Sequence, residues 1–176
     1  MVKACFFDRD GVLNHLAHHK NMMTAPWSID EFKLIRGAKK AVETVKKLNY
    51  ITCVVSNQPD LYDGYLAKTD LKLMTKKISK LGIHHLRYAF KRNSAYYKPN
   101  NGMLETVINR YNIDRSNSYM VGDSWKDIVA GYQSGVKTIY IGKVYSCPEN
   151  YNHIQPDFIV KSVIDASKII MENDDD

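Results

Sequence analysis

Long apolar runs are missing from this 176-residue chain. The longest, Tyr50 to Val55 and Ser118 to Val121, fall far short of the roughly 20 residues that a membrane helix requires. The opening Met-Val-Lys-Ala is no secretory signal. A soluble cytoplasmic protein with no membrane partner is therefore expected. Cysteine is also scarce. Cys5, Cys53 and Cys147 are odd in number and far apart, which argues against a disulfide framework or a structural zinc site and in favour of buried, inert thiols. There are no repeats, and the one biased stretch is the acidic end Asp174-Asp175-Asp176. The tail over 172–176 is expected to be disordered.

What is present suffices for one domain over 1–176, with 44% apolar residues in the sequence to form a core. The net charge of +6 and a pI near 9.1 suit an anionic substrate or nucleic acid. Lysines on solvated helix faces, such as Lys39, Lys40, Lys46 and Lys47, account for most of that charge without any function. No basic track along one face is evident, so nucleic acid is the lesser expectation as a partner.

Short runs rich in β-formers alternate with helical spacing. Lys3 to Phe7 and Tyr50 to Val55 read as strands. Between them Ala38, Ala41, Val42, Val45 and Leu48 line one helical face. The alternation resumes with a helix over 68–81, a strand over 86–90 and a helix over 102–111. A strand over 119–121, a helix over 125–134 and a strand over 137–141 follow, then a final strand over 158–160 and a helix. Such an order implies an α/β fold with a mostly parallel sheet covered by helices on both faces. Two segments break it: the insert 14–36, in which Ser28-Ile29-Asp30-Glu31 could form a capping box, and the loop 146–156.

Ligands of open parallel sheets bind outside the carboxyl ends of the strands. The first strand runs into Asp8 and Asp10, the second into Ser56 and Asn57, and the strand over 119–121 into Gly122, Asp123 and Asp127. Taken singly, each is an ordinary turn or cap. Taken together they bring carboxylates and a hydroxyl to one end of the sheet. Crowded carboxylates repel, so a cation or raised pKa values must compensate. Oxygen donors with no His or Cys favour Mg²⁺, which shares its shell with phosphate. Lys98 would add positive charge on the same side, making a phosphate site.

These residues resemble the four motifs of the haloacid dehalogenase (HAD) superfamily of phosphatases. Asp8-Arg9-Asp10-Gly11-Val12 matches the first, Ser56 the second, Lys98 the third and Gly122-Asp123-Ser124-Trp125-Lys126-Asp127 the fourth. The likeness extends from Phe6 to about Phe158. Within the superfamily, Asp8 to Asn14, Ser56-Asn57-Gln58-Pro59-Asp60 and Lys98-Pro99 followed by Gly102-Met103 resemble the small capless branch of heptose bisphosphate and histidinol phosphatases. That resemblance implies a capless, HAD-like Rossmannoid α/β/α sandwich with segment 28–31 as a loop. Many relatives carry a zinc loop of three cysteines and a histidine ahead of the third-motif lysine. The stretch 87–97 has neither residue, so zinc is not expected. Tyr97 stands where an arginine is usual, and Lys91 or Arg92 could substitute for it.

The resemblance further implies an Mg²⁺-dependent phosphomonoester hydrolase acting through an aspartyl-phosphate, with Asp8 as nucleophile and Asp10 as acid and base. Mg²⁺ would be held by Asp8, the Asp10 carbonyl and Asp123, with Asp127 supporting the shell or orienting Lys98. Ser56 and Lys98 would grip the phosphoryl oxygens, and Asn57 and Gln58 would touch substrate. His15, His18 and His19 suggest a metal site at first sight, but an exposed loop is the simpler reading. The expected substrate is a small phosphorylated sugar, heptose bisphosphate foremost, acted on by a monomer. Histidinol phosphate, a nucleic-acid 3′-phosphate and a non-catalytic scaffold are the rivals.

Overall fold

In the computed structural model, which describes residues 1–174, one six-stranded sheet forms the centre of the chain. Its strands are β1 (Ala4–Phe7), β4 (Ile51–Asn57), β5 (His85–Ala89), β6 (Tyr119–Gly122), β7 (Lys137–Ile141) and β8 (Phe158–Val160). Every neighbouring pair is parallel, in the order β5-β4-β1-β6-β7-β8. The helices are α1 (Ala38–Lys47), α2 (Pro59–Tyr62), α3 (Lys68–Ser79), α4 (Gly102–Tyr111), α5 (Trp125–Gln133) and α6 (Val163–Glu172). None is long and apolar enough to cross a membrane.

All four residues of β1 are buried, because a central parallel strand has helices on both sides. Successive side chains take opposite faces. Cys5 and Phe7 join Val42, Val45, Met74, Ile78 and Ile170 from α1, α3 and α6, while Ala4 and Phe6 join Leu104, Val107 and Ala130 from α4 and α5. Each large apolar side chain so removed from water contributes roughly 1.5–3 kcal/mol. The expected three layers follow, as does the apolar face of α1: Ala38, Ala41, Val42 and Val45 are its buried residues. Cys5 and Cys53 are buried and Cys147 half-buried, and all three are free thiols.

Two segments carry more structure than the sequence reading assigned. Within the insert 14–36, β2 (Ala17–His19) pairs antiparallel with β3 (Met22–Thr24). Lys20 and Asn21 make the two-residue turn, both at positive φ (48° and 63°), the twist that a tight hairpin requires. Ser28 to Glu31 stays a loop, and Glu31 serves as an anchor rather than a helix cap. Its Oε2 accepts from the Trp27 amide at 2.8 Å and its Oε1 lies 3.0 Å from His19 Nε2. The second is the start of the expected tail: Glu172 completes α6, and the Asp174 carboxylate accepts from Tyr50 Oη at 2.8 Å and pairs with Lys3. Asp175 and Asp176 lie outside the described residues.

Candidate active site

β1 lies between β4 and β6, so the chain leaves the sheet on opposite sides of it and a crevice opens at the strand ends. The Asp8 amide still donates to Val121 O at 2.9 Å, extending the ladder one residue past β1. The result is a cavity of about 440 Å³ lined by Asp8, Asp10, Ser56, Asn57, Tyr97, Lys98, Asp123 and Asp127 among others.

One oxygen from each of Asp8, Asp123 and Asp127 lies within 4.8 Å of the others. Two glycines make that crowding possible. A Cβ on Gly11, held at φ +84°, would fall 1.9 Å from Asp123 Oδ2, and one on Gly122 would fall 2.1 Å from the Asp127 Cβ. Burial, with repulsion from Asp127 and Asp10, lifts Asp8 to about 6 against the pull of Lys98. Burial and then the charges of Asp8 and Asp127 push Asp123 up to about 8. Such a cluster binds a proton or a hard cation to relieve its charge, and its all-oxygen donors fit Mg²⁺.

Lys98 counters part of the charge. Its ammonium, 2% exposed, lies 2.9 Å from Asp8 Oδ1 and donates to Asp127 Oδ1 at 2.6 Å and to Val55 O at 2.7 Å. Burial alone would favour the neutral amine, but Asp127 and then Asp8 reverse that and raise its pKa. Asp127 also accepts from the Ser124 amide at 3.0 Å, closing a capping box at the start of α5. Its expected link to Lys98 is thus present. Asn57, expected to touch substrate, lines the cavity and also holds Lys98. It donates from Nδ2 to Lys98 O and accepts from the Lys98 amide, each at 2.9 Å, and so positions the lysine.

Asp10 faces donors, not other carboxylates. Arg9 reaches Asp10 Oδ1 from Nη2 at 2.9 Å, Asn14 Nδ2 donates to the same oxygen at 2.9 Å, and Gln58 Nε2 donates to Asp10 Oδ2 at 2.6 Å. The Asp10 carboxylate is therefore outside the metal-like trio, leaving only its backbone carbonyl for that role. Gln58 is fully buried, with its amide also bonded to Ser56 Oγ (3.0 Å) and Arg9 (2.9 Å). Its expected substrate contact is corrected: it braces Asp10 and Ser56 from beneath. Arg9 and Asn14 were not singled out by sequence. The chain bends at Arg9, which turns the guanidinium back onto the Asp10 carboxylate, and no local sequence period marks that contact.

The β2–β3 hairpin supplies the rim. Met23 and Thr24, with Leu16 and Ala25 beside the hairpin, line the cavity. His19 stacks on Trp27 at 3.7 Å between centroids and Trp27 on Tyr65 at 4.6 Å, tying the hairpin to the segment after α2. His19 is thereby committed to packing, and His15 and His18 are exposed. Lys91 and Arg92 lie in a separate hollow with Tyr62 and Asn93, where Arg92 pairs with Asp63, so neither replaces an arginine at position 97.

Comparison with known proteins agrees with this geometry. A family model described as HAD-hydrolase-like matches residues 96–166, the part holding Lys98, Asp123 and Asp127. The D-glycero-beta-D-manno-heptose-1,7-bisphosphate 7-phosphatase of Pasteurella multocida (strain Pm70) is 29% identical, over 97% of each chain. The alpha-anomer 7-phosphatase of Photorhabdus laumondii is 25% identical, over 81% of this chain and 83% of that one. Among solved structures, D,D-heptose 1,7-bisphosphate phosphatase from B. bronchiseptica, complexed with magnesium and phosphate, superposes with a TM-score of 0.79 at 20% identity, over 97% of this chain and 99% of that one.

Proposed function

We propose that the chain is a HAD-like phosphatase that removes the 7-phosphate of D-glycero-D-manno-heptose 1,7-bisphosphate through an aspartyl-phosphate. The observation that carries this reading is Asp8 on the cavity floor, held by Lys98 with Asp123 beside it and Asp10 two residues on. The full-length likeness to heptose bisphosphate 7-phosphatases supplies the substrate.

Asp8 attacks phosphorus. The new bond runs from its carboxylate to phosphorus, and the bond from phosphorus to the sugar oxygen breaks. Asp10 donates a proton to that oxygen, then takes one from the water that hydrolyses the aspartyl-phosphate. Arg9, Asn14 and Gln58 fix the orientation of Asp10 for both transfers. The Arg9 amide, 2.7 Å from Asp8 Oδ1, and Lys98 fix that of Asp8. Ser56 Oγ and the Lys98 ammonium bind the phosphoryl oxygens. Asp8, the Asp10 carbonyl and Asp123 would hold Mg²⁺, with Asp127 behind them through Lys98; the bound ion supplies charge neutralisation for the phosphoryl group. A monomer working in the cytoplasm completes the reading.

The test is phosphate release with and without Mg²⁺ across heptose bisphosphate, hexose phosphates, histidinol phosphate and 3′-phosphorylated oligonucleotides. A large excess of kcat/KM for the heptose ester supports the assignment. A preference for the oligonucleotide, falling steeply with salt, would replace it with the nucleic-acid reading.

A further inference from the structure

The cavity that must receive an anion is itself acidic, since Asp8, Asp10, Asp60, Asp123 and Asp127 line it against only two ammonium groups, Lys98 and Lys126. Lys98 is spent on Asp8, Asp127 and Val55 O, at the place where the reacting phosphoryl group would lie. Lys126 is not. It sits in the first turn of α5, half-buried, and its ammonium makes no ion pair among the described residues. It lies instead 5.8 Å from the ring centroid of Tyr97 and 5.9 Å from that of Trp125. Aromatic faces attract a cation without neutralising it. The lysine is therefore partly ordered in advance with its charge still available, which lowers the entropy lost when an anion binds.

Building on the sugar bisphosphatase reading, we propose that Lys126, seated on Tyr97, binds the substrate's second phosphate, the one that is not hydrolysed, and thereby sets the preference for bisphosphorylated over monophosphorylated sugars. Lys98 and Ser56 already serve a single phosphoryl group, so a monoester has no charge left to match Lys126. Arg92 is neutralised by Asp63, and Lys91 shares its separate hollow, so neither supplies that cation.

The experiment compares wild type, Lys126→Met, Lys126→Arg and Tyr97→Leu on heptose 1,7-bisphosphate and heptose 7-phosphate at saturating Mg²⁺, with thermal melts confirming that each variant folds. For Lys126→Met the KM of the bisphosphate should rise roughly tenfold or more, the loss expected for one charge-assisted hydrogen bond, with kcat and the monophosphate KM moving by less than about threefold. Lys126→Arg should restore the preference, and Tyr97→Leu should show a smaller rise confined to the bisphosphate. Equal losses on both substrates, or a loss confined to kcat, would overturn the role. If wild type hydrolyses neither heptose ester, the substrate reading fails instead. The same variants on the mono- and bisphosphate forms of the sugar it does hydrolyse then decide Lys126 on its own.

Discussion

The floor of the cavity and its rim are held by different forces. On the floor, Asp8, Lys98 and Asp127 form a buried ionic chain, and Asp10 is gripped by Arg9, Asn14 and Gln58. Removing one partner strands a charge or a donor away from water, so these groups stand or fall together. On the rim, the β2–β3 hairpin is tied down by the His19–Trp27–Tyr65 stack and by Glu31, while Met22 and Met23 remain exposed. Those contacts are individually weaker and replaceable. The contrast implies that the floor fixes the reaction and the rim adjusts the substrate, a division that mutation can break or sharpen.

The largest effect belongs to Asp8→Asn, expected to lower kcat roughly 10⁴-fold while far-UV circular dichroism stays unchanged, because an amide cannot form the acyl-phosphate. An active variant would remove Asp8 as nucleophile. Next comes Gly11→Ala. Its Cβ must displace the Asp123 carboxylate, and its φ of +84° suits glycine, so kcat/KM should fall about 10²-fold and urea unfolding should show a loss of about 1–2 kcal/mol. Wild-type behaviour there would mean that Asp123 need not sit where it does.

A pH effect should follow. The pKa values of Asp8 and Asp123 rise on folding, from an ordinary 3.8 to about 6 and about 8, so between those limits the folded state holds more protons than the unfolded one. Their contribution to stability is present at low pH and is lost as pH climbs from about 4 to 8. The metal-free melting temperature should decline over that window, and Mg²⁺ should raise it more at pH 8 than at pH 5, as calorimetry with and without chelator would show. The smallest effect is expected of Trp27→Leu. Loss of the stack should raise KM about threefold to tenfold and leave kcat in place. A collapse of kcat there would erase the distinction between floor and rim.

Much of the floor was legible in the sequence. Asp8, Asp10, Ser56 and Asp123 announce themselves by falling at the ends of β-forming runs, Asp127 follows four residues after Asp123, and Lys98 is marked by its motif; all six line one cavity. Gln58 was misread for a definite reason. An amide two residues from Ser56 is as well placed to face inward as outward, and the Asp10 carboxylate that holds it lies 48 residues away in the chain. The hairpin was illegible because its turn is Lys20-Asn21, without the glycine that usually marks so tight a reversal.

The sequence by itself determined the layered α/β architecture, the strand ends that carry the carboxylates and the oxygen-only chemistry of the cluster. These depend on local periodicity and residue type. Tertiary structure alone decided that Gln58 and Arg9 brace Asp10, that Asn57 fixes Lys98, and that Lys126 alone among the cavity's cations keeps its charge unpaired among the described residues. The physical reason is that a buried polar group's role is set by whichever donors and acceptors the fold brings to it, and those come from strands and helices far apart in the chain.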